Sequence, residues 1–363
     1  MRKAILLSLL LVASMSASAQ VDKTLDKLKE KADKVIERSK DFVEDKADKI
    51  ITRYGLDTLT VEGVDSMMAV RYQKKGSYDE DYMQRPSQRF TATVRSSLSG
   101  SGIRTNGTWN DSPIHSRLSS ATRFTTTVGF SYRGVGLSIA VNPFKLKCNK
   151  RDTELRFELL NNRYGFEVAY QNAKTYGGSL EHMGKYDIPS SLVTSKIFMV
   201  NGYYAFNYRR FSYPAAFTQS YRQLQSQGSW LVGASFLVGN VTTRSDEELA
   251  NPSVKMKVGS FGIGGGYAYN WVVNRHLMLH ASLLPTLVVA PFNSLTVDDE
   301  RHKIPYSFPQ FLLTERVSAL YEFNDQHFAS LALVAHNTIL GGNRDLRMNY
   351  YRWRLTINYG FRF

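Results

Sequence analysis

Along the last fourteen residues of the chain, apolar and polar side chains alternate almost without a break. Tyr351, Trp353, Leu355, Ile357, Tyr359, Phe361 and Phe363 fall on one face of a strand, and Arg352, Arg354, Thr356, Asn358, Gly360 and Arg362 on the other, because successive side chains point to opposite sides. One face suits lipid and the other a wet, polar interior. A soluble sheet shows the same alternation, so this strand alone does not decide between them.

The same period predicts twelve strands, at 89–98, 121–132, 134–141, 152–161, 163–174, 193–207, 228–240, 257–271, 275–290, 309–323, 326–339 and 349–362. Many exceed an ordinary soluble strand, and a tilted membrane strand needs roughly 9 to 11 residues to cross. Short gaps near Arg133, Asn162, Asn274 and Asp325 alternate with long ones at 99–120, 142–151, 175–192, 241–256, 291–308 and 340–348. That rhythm suits a barrel with tight turns at one rim and long loops at the other. The exception is 208–227, which holds Pro214 and a Gln-rich run, Gln219 to Gln227, expected to form a short helix across the lower mouth. The expected fold is an all-β membrane protein, a closed antiparallel transmembrane β-barrel of about 12 strands over residues 89–363.

Upstream the period changes. Val21, Leu25, Leu28, Ala32 and Val35 recur at helical spacing, and Phe42, Val43, Ala47 and Ile50 continue the stripe, predicting an amphipathic periplasmic helix over 20–55 that ends near Gly55. Residues 56–88 read as an irregular adaptor interrupted by Lys74, Lys75, Gly76 and Pro86. Met1, Arg2 and Lys3, an apolar run from Ala4 to Ala13, and the small-residue site Ala17-Ser18-Ala19 describe a signal peptide over 1–19, with cleavage expected before Gln20.

Composition agrees with this reading. Twenty-one Tyr and twenty Phe coexist with a mean hydropathy of -0.30, as expected when alternate strand residues face lipid and water. The sole cysteine, Cys148, excludes an internal disulfide. Of the formal charge of +14, two units lie in the signal peptide. The segment from Asp22 to Lys49 is neutral, so the excess belongs to the barrel. Export argues against nucleic acid and points to outer-membrane lipid, lipopolysaccharide phosphates or an anion-attracting lumen.

A chain ending in an alternating strand on an aromatic residue resembles the insertion signal read by the barrel assembly machinery, which assigns Tyr351, Trp353, Leu355, Ile357, Tyr359, Phe361 and Phe363 to that role. From Lys196 to Trp230 the sequence also resembles an uncharacterised Bacteroidetes outer-membrane β-barrel family, domain of unknown function 4421. Tyr203, Tyr204, Phe206, Phe211, Tyr213, Phe217, Gln223 and Gly228 carry the likeness, and Pro214 stands where that pattern leads one to expect a basic residue. The resemblance covers about residues 70 to 363. It implies a barrel in the cell envelope and brings no catalytic residue, cargo or partner.

Candidate chemistry is sparse. His276, His280, His327 and His336 lie in or beside predicted strands, with Ser282 and Ser330 near two of them, so a lipid hydrolase stays open as an alternative. Asp298, Asp299, Glu300 and His302 cluster in a predicted loop without the ordered spacing of a calcium site. The glycine run from Gly259 to Gly266 lacks the Lys-Ser/Thr of a phosphate loop and reads as a strand whose Gly262, Gly264 and Gly266 share a face. Arg352, Arg354 and Arg362 would look into the lumen, either pairing with acids or attracting an anionic solute. The expectation is a monomeric barrel with a largely occluded lumen, structural or ligand-binding, with no cofactor or metal. A small anion-selective channel or transporter is the alternative. Residues 20–55 are left for a periplasmic partner.

Overall fold

The chain divides into Met1–Arg71 and Tyr72–Phe363. The computed structural model describes residues 78–109, 112–132, 135–141, 152–181, 185–243, 254–292, 294–297, 300–303, 309–340 and 346–363. The expected signal peptide, the helix over 20–55 and the first part of the adaptor therefore lie outside the described residues.

In chain order the elements are β1 (Met83–Gln84), β2 (Phe90–Trp109), β3 (Ser112–Ser119), β4 (Arg123–Tyr132), β5 (Val135–Val141), β6 (Thr153–Leu160), β7 (Tyr164–Glu181) and β8 (Lys185–Ala205). A short helix follows, α1 (Tyr213–Phe217), then β9 (Arg222–Gln223), β10 (Gln227–Thr243), β11 (Val254–Val272), β12 (Leu277–Pro291), β13 (Ser294–Val297), β14 (Glu300–Lys303), β15 (Phe311–Glu322), β16 (His327–Leu340) and β17 (Leu346–Arg362). Every ladder is antiparallel. Ten strands form a closed circuit, β10-β8-β7-β3-β2-β17-β16-β15-β12-β11, and β11 pairs back onto β10 from Gln227↔Asn270 to Thr242↔Lys255.

Each of the twelve expected segments lies on a strand, yet the closed circuit numbers ten, because β4, β5 and β6 stand off it and β3 joins it. Residues 99–109 and 112–119, expected to be loop, continue β2 and form β3, and β3 pairs with β7 to close the ring. Below β3, β4 runs along the first half of β2, β5 along β4, and β6 along β7, all off the closed path. Residues 175–192 were likewise expected as loop, yet they carry the ends of β7 and β8. In these Ser-, Thr- and Gly-rich stretches the outward face is polar and the buried inward face mixes Ser101 and Thr105 with Ile103, Leu118 and Tyr176, so the period-two signal fades while the backbone ladder persists.

Facing obeys the pleat. Val94, Leu98, Phe130, Phe157, Val317 and Ile357 are exposed on the outer wall. At the rim that holds Phe90 and Phe363, aromatic rings crowd together: Trp230 with Tyr267 at 5.1 Å, Tyr321 with Phe323 at 5.0 Å, and Phe361 with Phe363 at 5.5 Å. Phe90 and Phe363 exchange backbone hydrogen bonds of 2.9 Å, which ties the start of the barrel to the chain end.

The inner face differs from the expected wet interior. Ile103, Tyr176, Val193, Ile197, Met199, Leu237, Met256, Val258 and Tyr350 form one buried apolar cluster in the half away from Phe90 and Phe363. Where such residues face inward, both faces of the strand are apolar, as in Ile197-Phe198-Met199-Val200. Gly264 and Gly266 face inward on β11, and a Cβ on either would meet the backbone carbonyls of Pro285 and Leu283 on β12. Bare backbone there lets the two strands approach. Gly264→Ala is expected to destabilise the barrel by about 1–3 kcal/mol through this overlap, read as a lower midpoint in guanidinium unfolding.

Candidate functional site: a plugged and charged interior

The segment between β8 and β10 does not cross the mouth as a Gln-rich helix. It turns into the barrel, and its helix comes earlier, at α1. Ser212 caps α1 by accepting from the Ala215 amide at 3.1 Å, and Pro214 sits in the first turn, where no backbone donor is needed. Gln219 follows in the left-handed region, with φ 54, and ends the helical path. The Gln-rich run lacks comparable start signals, and part of it becomes β9.

Hydrogen bonds and rings hold this plug from several sides. Asn207 donates to the Ser229 hydroxyl and the Gly228 carbonyl at 2.9 and 2.8 Å. Gln223 donates to the carbonyls of Arg210 and Tyr82, and its own carbonyl accepts from Ser212 and Asn270. Ser318 donates to Ala216 O, Asn358 donates to the Gln219 side chain at 3.1 Å, and Arg362 donates to Gln219 O. Phe211 and Tyr213 are buried with Ala205, Leu231, Ala268 and Leu284. Residues just before the barrel brace the plug from outside: β1 pairs with β9, Met83 is fully buried, and Asp79 takes an ion pair from Arg210 at 2.9 Å.

Inward from the plug lies a layer of ion pairs. Glu154 on β6 receives Arg123 and Arg354 at 2.6 Å each, and Arg352 as well. Glu167 on β7 receives Arg316 at 3.0 Å and Arg156 at 3.2 Å, with His336 at 3.5 Å. Arg316 also reaches Glu158 at 2.8 Å. Since β7 and β15 lie five places apart in a ring of ten, the Arg316–Glu167 contact spans the lumen. Arg316 is 4 % exposed and Glu167 2 %, so neither is left to water. Nearer the rim, Glu322 binds Arg362 and Arg222 at 2.8 and 2.7 Å.

Arg352, Arg354 and Arg362 thus sit inside, each against a carboxylate. Of the segment that carries the family resemblance, Phe211, Tyr213 and Gln223 build the plug. Phe217 lies beneath the Arg316 guanidinium at 5.8 Å, and Tyr203 stacks on Tyr213 at 4.6 Å. Tyr204 and Phe206 instead meet each other near the rim at 5.3 Å, and Gly228 fits under the Tyr267 ring. Tyr359 and the Phe361–Phe363 stack face outward at the rim, with His327 bonded to the Tyr359 hydroxyl at 2.7 Å. His276 meets the Glu322 carbonyl, and Ser330 bonds Asn358 and Gln219.

One histidine has the partners of a nucleophile relay. Asn270 spends its amide on Ser212 O and Gln223, so its carbonyl must accept, here from His280 Nδ1 at 2.6 Å. His280 Nε2 is then left as acceptor for the Ser282 hydroxyl at 3.2 Å. That order matches nucleophile, base and orienter. However, the three face the lumen, with Tyr213 and Phe217 each 5.1 Å from the His280 ring. The relay continues into the plug rather than opening on a substrate-sized space. Asp298 and Asp299 lie outside the described residues, and among the described residues no group of three or more His, Cys, Asp or Glu could hold a metal.

Sequence reasoning missed Glu154, Glu158, Glu167, Arg156, Arg316 and Asn270. A signal existed in Glu154-Leu-Arg156-Phe-Glu158, where charges alternate with apolar residues as on a strand with lipid on one side and counter-charges on the other.

Residues 77–363 match the family described as Domain of unknown function (DUF4421), and the chain belongs to that family. No curated protein matches the chain. Among solved structures, the outer membrane protease OmpT from Escherichia coli is 10% identical, with TM-score 0.40, over 77% of this chain and 97% of its own. The translocator domain of the autotransporter NalP from Neisseria meningitidis is 8% identical, with TM-score 0.30, over 85% of this chain and 100% of its own. The beta domain of the Bordetella autotransporter BrkA is 8% identical, with TM-score 0.33, over 76% of this chain and 100% of its own. Likenesses at this level add nothing to what the strand pairing establishes.

Removing the hub of the charge layer tests its cost. Glu154→Gln leaves Arg123, Arg352 and Arg354 without their carboxylate and should cost about 3–5 kcal/mol in guanidinium unfolding. Adding Arg352→Met should return part of that loss.

Proposed function

We propose that the protein is an outer-membrane barrel with a largely occluded lumen, acting as a structural or ligand-binding element rather than an open pore. The plug carries this reading: residues 211–219 enter the barrel, and the Arg316–Glu167 contact closes the section beyond them. An outer wall of exposed apolar side chains above a rim of aromatic rings suits a lipid setting, with the termini and the plug on the periplasmic side. A sequence that starts with the features of a signal peptide suits export to that membrane.

A second reading, a small anion-selective channel or transporter, draws on the charge balance of the layer. Arg123, Arg156, Arg316, Arg352 and Arg354 face only Glu154, Glu158 and Glu167. Excess guanidinium would favour anions if the plug left. Planar-bilayer recording of the full mature chain separates the two. Occlusion predicts negligible steady conductance, and large anion-selective steps in the intact protein would overturn it. Steps seen only after removing residues 20–55 would assign the gate to that region. A lipid hydrolase built on Ser282 and His280 is the weaker reading. No acyl chain should be released from outer-membrane-like lipid with or without Ca²⁺, and turnover abolished by His280→Ala would put it first.

The terminal strand is proposed as the assembly signal of a monomeric barrel. Deleting Phe363 removes a stacking partner of Phe90 and Phe361 at 5.5 Å each and ends the hydrogen-bonded seam early. The heat-modifiable, folded fraction in membranes should fall without an equal loss of export. Unchanged assembly would overturn the assignment.

A further inference from the structure

The outer wall holds four lysines that none of the interior chemistry uses. Strand register sets Asn172, Lys196, Asn240 and Lys257 side by side across β7, β8, β10 and β11. One step toward the loop end, Thr194, Thr242 and Lys255 form the next outward row. Lys174 lies beside it, at the irregularity that follows the Ala173–Ser195 pair. The intervening Ala173, Ser195, Ile197, Met256 and Val258 are buried inside, and all four lysines are exposed, so the ammonium groups project from the outer wall. At ordinary strand spacing the patch measures about 15 Å across the strands and about 7 Å along them.

Among the described residues no carboxylate pairs with these side chains. Asp152, beside Lys174 in the fold, spends its carboxylate on the Lys174 backbone amide at 2.7 Å and the Thr175 hydroxyl at 2.6 Å. Glu181 and Asp187, the exposed acids of β7 and β8, stand further toward the loop end.

Immediately below the lysines the wall becomes apolar. Tyr170, Phe198 and Val238 make the next row, then Val168, Val200, Phe236 and Phe261. Lower on the same four strands lies a shallow, open apolar depression of about 480 Å³, bordered by Phe166, Val200, Val232, Phe236, Phe261 and Ile263. Its floor is low because Gly202 and Ala234, cross-strand partners, present almost no side chain. A cationic patch directly above an apolar depression is complementary to an amphiphile with an anionic head and acyl chains.

We infer that β7, β8, β10 and β11 bind a phosphorylated glycolipid of the outer leaflet, with its phosphates on Lys174, Lys196, Lys255 and Lys257 and an acyl chain in the depression. This rests on the outer-membrane reading above. Lysine is a hydrated point charge suited to phosphate, and its stem can lie along the apolar rows while the head reaches the headgroup level. Four cations spread over such a patch exceed what one phosphate neutralises. Asn172, Asn240, Thr194 and Thr242 offer amides and hydroxyls for sugar oxygens between phosphates.

The test compares the full mature protein with Lys196→Gln/Lys257→Gln by native mass spectrometry from detergent micelles. The probes are a bisphosphorylated acyl glucosamine disaccharide, its dephosphorylated form, and phosphatidylglycerol. The wild type should retain the bisphosphorylated lipid preferentially, and the double variant should lose affinity roughly 30-fold, as expected for two surface cations. Ala234→Phe, which fills the depression and leaves the lysines, should weaken all three lipids alike. Both variants are first checked for the wild-type heat-modifiable band. Equal retention by the lysine variant, equal retention of the dephosphorylated lipid, or displacement by equimolar inorganic phosphate would overturn the inference. Failure of the wild type to insert into lipid would instead remove the outer-membrane reading itself.

Discussion

Every backbone amide in the wall must find its partner in the neighbouring strand, and the barrel follows from satisfying that demand all the way round. The β10–β11 ladder, running from Gln227 to Thr242, removes the last free edge of the circuit. Once closed, alternate residues of each strand are forced inward whatever their chemistry. The interior must then be made tolerable, since a ten-stranded barrel is narrow enough for side chains to fill. Three solutions stack along the axis: a protein plug at the rim with Phe90 and Phe363, ion pairs beyond it, and an apolar cluster in the far half.

The ion-pair layer explains why the plug stays. Desolvating a guanidinium is expensive, and its pairing repays this only with good geometry and full hydrogen bonding. Arg316 meets the demand by reaching two carboxylates on the far wall while resting on the Phe217 ring of the plug. The plug in turn fixes Asn270, which fixes His280, which takes the Ser282 hydroxyl. Withdrawing the plug would therefore strip a ring from Arg316 and two acceptors from Asn270 at once. Such networks define one arrangement of the interior more than they add net stability.

Much of the wall was legible because its outward face is apolar and its inward face is small or polar. The strands expected at 228–240, 257–271, 275–290, 309–323, 326–339 and 349–362 overlie β10, β11, β12, β15, β16 and β17, with ends that differ by up to three residues. Their tips were not legible, since Ser99 to Asn106 carries no apolar period, and the pairing of β3 with β7 depends on a neighbour remote in sequence. The plug's position was half legible: Pro214 marked a break, yet only tertiary contacts send Phe211 and Tyr213 inward. Glu154 and Arg352 are separated by most of the barrel sequence, and no local pattern names them as partners.

The contrast between inner and outer charges carries the last step. Inside, the guanidinium groups are drawn onto carboxylates, and Arg316, which reaches both Glu158 and Glu167, holds two walls together through its planar fork. On the outer wall between β7 and β11 the cations are lysines, which suit a mobile, hydrated anion better than a fixed carboxylate. Arginine where the contact is internal and permanent, and lysine where the partner comes from outside, is the division that the reading proposed above, a barrel closed to solutes and engaged with its lipid, calls for. A conducting pore would place the unpaired cations along an open lumen. Here the four exposed lysines stand outside, above a shallow apolar depression of about 480 Å³.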